Sequence, residues 1–161
     1  MLRSRLMDMG MAVFKDGRIK HWAVALKMFE DKPLTGIGNG NYVTLHAKYL
    51  EKYPQYTVLG EENFQAHNSY LKVLSELGII GFIPFIILHC LIFIRSIKVC
   101  RLYSEKYKGL IKGLIVSLIV FLQINLIDNM WFIPKVAFLY WIIVGIIILL
   151  YRNKKDLTSN I

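Results

Sequence analysis

LGIIGFIPFIILHCLIFI, residues 77–94, carries no formal charge over eighteen positions. At about 1.5 Å of rise per residue, such a helix approaches the thickness of a bilayer's hydrocarbon core. It predicts a membrane span. Downstream, 109–127 is interrupted only by Lys112, near one end, whose ammonium can snorkel to the interface. The last run, 132–151, holds only Lys135, again near an end, with Trp131 and Tyr151 at its boundaries as interfacial anchors. Three buried helices of a soluble protein would need a polar outer layer, which the second half of the chain lacks. The expected fold is an all-α membrane protein. Residues 1–76 form an external helical loop, three transmembrane helices follow at about 77–94, 109–127 and 132–151, and 152–161 is a cytoplasmic tail.

Charge supports this division. The 161 residues are 55% hydrophobic yet carry a formal net charge of +9. Up to Ser75, ten Lys and Arg face seven acids, a water-facing balance; from Glu76 onward the ratio is ten to four. Arg95, Lys98, Arg101, Lys106 and Lys108 lie between the first two spans, and Arg152, Lys154 and Lys155 follow the third. Basic connections stay in the cytoplasm, which puts residues 1–76 on the outer side. Most of the positive charge is therefore a topological signal. A nucleic-acid partner is disfavoured, because the polar half has no basic stripe interleaved with aromatics.

The N-terminus MLRSRLMDMGMAVFKDG has no apolar core long enough for a signal peptide, although some seventy-five polar residues must be translocated. Earlier helices are expected upstream, making the chain the C-terminal piece of a longer multi-span protein. Cys90 lies in the first span and Cys100 in the basic loop, so no external disulfide is available and neither is read as a metal ligand.

In the outer segment, Trp22, Ala25, Leu26 and Phe29 recur at helical spacing within 18–30, and Pro33 closes that helix. The stretch PLTGIGNGN, 33–41, is turn-rich, but with neither G-x-G-x-x-G spacing nor a Walker lysine it is no nucleotide site. Tyr42–Lys52 reads as a second helix and 53–65 as polar loop. Asn68 or Ser69 then caps a helix continuing directly into the first span. That places His67 where a helix ends at the outer surface. His89 is mid-span and His21 and His46 lie on amphipathic helices, so His67 is the candidate for acid–base chemistry.

His67-Asn68, nine residues, then Gly78-Ile79-Ile80-Gly81, resembles the H[NSQ]-x9-GxxG signature of the O-antigen ligase and polymerase family of bacterial envelope glycosyltransferases. A second block, from Gly17 to Gly38, is similar to the family's external-loop pattern: Arg18, three residues, Trp22, then Pro33 and the G-x-G of Gly36 and Gly38. The two blocks occur in the expected order.

The resemblance implies a partial GT-C-like bundle in the bacterial inner membrane. It would act without metal or cofactor, on a glycan carried by undecaprenyl diphosphate. The acceptor would be a lipid A core sugar (ligation) or another glycan (polymerisation). It assigns His67 as the base that takes the acceptor hydroxyl's proton, and Arg18 as the cation stabilising the departing diphosphate. Asn68 supports the site as N-cap or sugar ligand, and Gly78 and Gly81 as small residues admitting a neighbouring helix. Lys20 is read as a solvated surface lysine and Trp22 as packing. Asp128 and Asn129, on the turn between the second and third spans, are left open. The competing expectation is a truncated, non-catalytic membrane protein whose outer loop docks a partner.

Overall fold

A computed structural model of the chain describes residues 17–58, 60 and 64–159, the last five by backbone alone. The first sixteen residues of the expected outer loop and the last two of the tail lie outside the described residues. Every regular element among the described residues is helical: α1 Arg18–Asp31, α2 Asn41–Lys52, a 3₁₀ turn Pro54–Tyr56, α3 Ser69–Leu102, α4 Glu105–Ile124, a 3₁₀ turn Met130–Phe132 and α5 Pro134–Ser159. These group into two compact bodies. The first runs to Phe82 and takes in Ile127–Asn129; the second holds Ile83–Leu126 and the chain from Met130 onward.

In the first body, α1 contributes Val24, Ala25 and Met28 to a core completed by Ile37, Tyr42, Leu50 and Ala66. The buried face of α1 is thus His21, Val24, Ala25 and Met28, rotated from the expected stripe, and Leu26 is exposed. His21 can turn inward because its Nδ1 lies 3.1 Å from Nε2 of His46, also buried, so the two imidazoles share a hydrogen bond inside the core. On α2, Tyr42 donates its hydroxyl to the His21 carbonyl at 2.9 Å. Burial, and then the nearby Glu76 carboxylate, hold the Tyr42 phenol well above its ordinary value, so it remains a neutral donor. Glu76 is itself fully buried, and its Oε1 accepts the Tyr42 backbone N–H at 3.0 Å. A carboxylate on the first turn of α2 meets both the unpaired N–H groups and the positive end of the helix dipole.

α3 differs from expectation toward its N-terminal end. Its helix does not run unbroken into the apolar stretch; Gly78 interrupts it with φ 61° and ψ −168°, a conformation confined almost wholly to glycine. The break frees backbone groups, and the 33–38 segment takes them up. Ile37 and Gly38 donate to the carbonyls of Ser75 and Glu76, each at 2.9 Å, while Ile79 and Ile80 donate to those of Pro33 and Leu34 at 2.9 and 3.1 Å. The backbones approach so closely that a Cβ on Gly36 would fall on the Glu76 carbonyl, and one on Gly78 on that of Leu34.

The second body is a helical bundle around Ile92, Val99, Ile111, Leu118, Tyr140, Val144 and Ile147. Its outward side chains are also apolar, with Leu110 and Phe138 about two-thirds exposed. Three helices, Ser69–Leu102, Glu105–Ile124 and Pro134–Lys154, are long and apolar enough to cross a membrane. An apolar exterior over a small apolar core is the pattern lipid demands and water penalises. Asn125 closes α4: its Nδ2 donates to the Phe121 carbonyl at 2.7 Å and its Oδ1 accepts the Trp131 N–H at 3.1 Å.

Candidate active site

His67 lies just before α3, with φ 48°, a left-handed conformation that non-glycine residues seldom adopt. Three elements of the first body hold it there. Asn68 caps α3, its Oδ1 accepting the Leu71 N–H at 3.0 Å. From α1, the Trp22 indole N–H donates to the His67 carbonyl at 3.2 Å. Trp22, expected only to pack, thus touches the candidate base directly. The exposed Phe64 ring lies 5.2 Å from that of His67 and stacks at 5.5 Å on His21, whose own ring centre is 6.3 Å from His67.

The third support comes from the turn after α4. Ser69 donates both its backbone N–H and its hydroxyl to the Asp128 carbonyl, each at 3.2 Å. The Asp128 carboxylate, accepting the Asn129 N–H at 2.7 Å, then sits 3.5 Å from Nδ1 of His67. That is electrostatic range without hydrogen-bond geometry, and Nδ1 has no hydrogen-bond partner among the described residues. A carboxylate beside Nδ1 favours the tautomer with the proton on that nitrogen, which leaves the Nε2 lone pair to act as a base. Sequence left Asp128 open because sixty residues of chain separate it from His67.

Arg18 is the first residue of α1 and half-buried, one helical turn before Trp22 and so on the same face. Lys20, expected to be merely solvated, donates from its ammonium to the Thr57 carbonyl at 2.7 Å, although it stays exposed. What crowds Gly78 is the 33–38 backbone, and what a Cβ on Gly81 would meet is the Leu77 side chain. The backbone N–H and C=O groups freed by the break at Gly78 are thus satisfied by a loop, the 33–38 segment.

His21 and His46 were not singled out from sequence. The signal was present: His21 leads the buried series Val24, Ala25, Met28, and His46 lies between buried Tyr42 and Leu50 at four-residue intervals. Among the described residues, no group of three His, Cys, Asp or Glu is arranged to hold a metal ion. A groove of about 530 Å³ opens elsewhere on the same body, lined by Asp31, Ile37, Leu45, Lys48, Tyr49 and Lys52 among others.

Comparison with known proteins yields one family. The family model described as O-antigen ligase matches residues 5–86, the span holding both the Arg18–Trp22 block and the His67–Gly81 block. No curated protein and no solved structure matches the chain.

Proposed function

From the premise that the chain belongs to the O-antigen ligase family, we propose that it transfers a glycan from an undecaprenyl-diphosphate carrier to an acceptor sugar hydroxyl at the outer face of the bacterial inner membrane. Residues up to about 76 face outward and the basic α3–α4 connection and tail face the cytoplasm. The acceptor hydroxyl attacks the anomeric carbon. As the new C–O bond forms, the bond from that carbon to the diphosphate oxygen breaks, the electron pair leaves with the diphosphate, and the hydroxyl proton moves to Nε2 of His67. A guanidinium stays charged at any working pH and donates in a fork, which suits Arg18 to the negative charge growing on the leaving group.

The observation that carries this reading is the meeting of the two sequence blocks at His67: Trp22 on its carbonyl, and the Asp128 carboxylate 3.5 Å from its Nδ1. A histidine whose backbone is held in place, with a carboxylate near one ring nitrogen, is suited to act as a general base through the other.

The test is complementation. In a strain deleted for the gene, His67→Ala and Arg18→Ala are expected to abolish glycan transfer while membrane insertion, followed by protease protection, stays normal. Full transfer by both variants would sink the assignment.

A further inference from the structure

α1 is about 20 Å long, and one side of it follows the chain from Tyr49 to Thr57 along its whole length. Near its start, between Arg18 and Trp22, Lys20 donates to the Thr57 carbonyl at 2.7 Å. Further along, the Lys27 ammonium lies 5.9 Å from the centre of the Tyr53 ring. At its end, Asp31 accepts the Tyr49 hydroxyl at 2.8 Å and the Lys52 ammonium at 3.3 Å. Three half-buried phenol rings therefore stand in a row along this seam, Tyr49 and Tyr53 stacked with centres 6.4 Å apart and Tyr53 and Tyr56 at 6.2 Å. The row ends in the groove of about 530 Å³ that Tyr49 lines, a volume within the roughly 300–1,000 Å³ of clefts that hold small molecules. Three ammonium groups, Lys32, Lys48 and Lys52, face two carboxylates there, Asp31 and Glu51. Asp31 is already taken by Tyr49 and Lys52, whereas the Lys32 and Lys48 ammonium groups have neither hydrogen bond nor ion pair among the described residues.

Chemistry narrows what would fill this seam. A lipid chain could lie on the rings and on Ile37 and Leu45 but would leave the ammonium groups unanswered; a free phosphate would answer them and leave the rings bare. A sugar ring packs its C–H face on an aromatic ring and turns polar groups outward from its edge, and a carboxylate or phosphate on that edge pairs with a lysine through charge-assisted hydrogen bonds. We propose that the groove and the tyrosine row bind the glycan away from its reacting end, and that the glycan so held is acidic, carrying carboxylate or phosphate groups. This rests on the glycan-transfer reading above and gives it a substrate class. Arg18 and Trp22 at the head of α1 serve the reacting end, and the groove at the foot of the same helix holds sugars further along the chain.

The test changes Lys32→Gln and Lys48→Gln together, which removes two exposed charges that hold nothing else among the described residues. The probe is an oligosaccharide cut from the producing cell's own surface polysaccharide, titrated against the full-length protein in detergent. Wild type is expected to bind it, and the double variant to bind about tenfold more weakly or worse with its melting temperature unchanged. The same oligosaccharide, with its carboxylates reduced and its phosphates removed, is expected to bind wild type about as weakly as the acidic probe binds the variant. No binding by wild type, equal binding by the variant, equal binding of the neutralised probe, or a surface polysaccharide without acidic groups would each overturn the proposal. So would a variant melting several degrees lower, which would give the two lysines to the fold, or displacement of the probe by inorganic phosphate at equal concentration. His67→Ala, run in parallel, is expected to bind within about threefold of wild type and transfer nothing. Transfer by that variant would overturn the base assignment, while the titrations alone decide the groove.

Discussion

The indole N–H of Trp22 reaches the backbone carbonyl of His67 at 3.2 Å, across forty-five residues of chain. This one bond ties the helix that begins with Arg18 to the residue two positions before α3, so one helix carries the proposed cation and braces the proposed base. Trp22→Phe retains a large ring but deletes the donor. A hydrogen bond of about 1–1.5 kcal/mol corresponds to roughly a tenfold loss of rate if it matters in the transition state. Transfer by the variant is therefore expected to fall about tenfold with insertion unchanged, measured as initial rate in isolated membranes; an unaltered rate would reduce Trp22 to packing.

Gly78 and Gly40 separate two kinds of glycine dependence. Both have positive φ, but a Cβ at Gly40 meets open space, whereas one at Gly78 meets the Leu34 carbonyl and the Gly36 nitrogen. Gly40→Ala should cost about 1 kcal/mol, the conformational strain alone. Gly78→Ala adds a backbone clash and should cost about 3 kcal/mol or more. Thermal unfolding in detergent ranks the two, and equal losses would contradict the paired 33–38 and 75–80 backbones.

Glu76 anchors α2 from a distance. Glu76→Gln keeps an oxygen for the Tyr42 N–H and is expected to be mild, while Glu76→Ala leaves that buried donor unpaired, at about 1–3 kcal/mol. Chemical unfolding followed by circular dichroism distinguishes them. If Gln and Ala variants were equally unstable, the carboxylate's charge, rather than its hydrogen bond, would be what α2 needs.

Asp31 and Tyr49 give the first body a pH dependence. The hydrogen bond from the Tyr49 hydroxyl, with Lys52 assisting, holds the Asp31 carboxyl below its usual range, and burial followed by that carboxylate pushes the Tyr49 phenol up to about 12. Asp31 is lowered on folding, so its contribution is present above the unfolded carboxyl value near about 4 and is lost as pH falls through the lower folded value. Tyr49 is raised, so its contribution is present below about 10 and lost as pH rises through about 12. Tyr49→Phe should flatten both limbs of a melting-temperature profile, with a small amplitude because Asp31 is exposed.

Sequence makes the spans legible because lipid leaves so few options: long uncharged runs, basic flanks and aromatic edges each follow from one local rule. His67 and Asn68 are legible for a similar reason, since a cap is set by residues three or four apart. The break at Gly78 is not, because what permits it is the Pro33–Gly38 segment far upstream. Nor is the inward turn of His21, which looks polar until His46 is beside it. Asp128 escapes for the same cause: the pattern places it on a turn, while only the packing of that turn against Ser69 gives it His67 as a neighbour.

The paired backbones at 33–38 and 75–80 have one more consequence. Everything between them, from Asn39 to Leu74, leaves and re-enters the fold at a single junction made of main-chain atoms, in which side-chain identity matters little apart from the glycines. Loop-closure entropy grows only slowly with length, so the loop after α2 can change length at modest entropic cost while the junction keeps its register, whereas α2 itself is held in the core by Tyr42, His46 and Leu50. The junction thus fixes both ends of the 39–74 stretch through main-chain atoms alone.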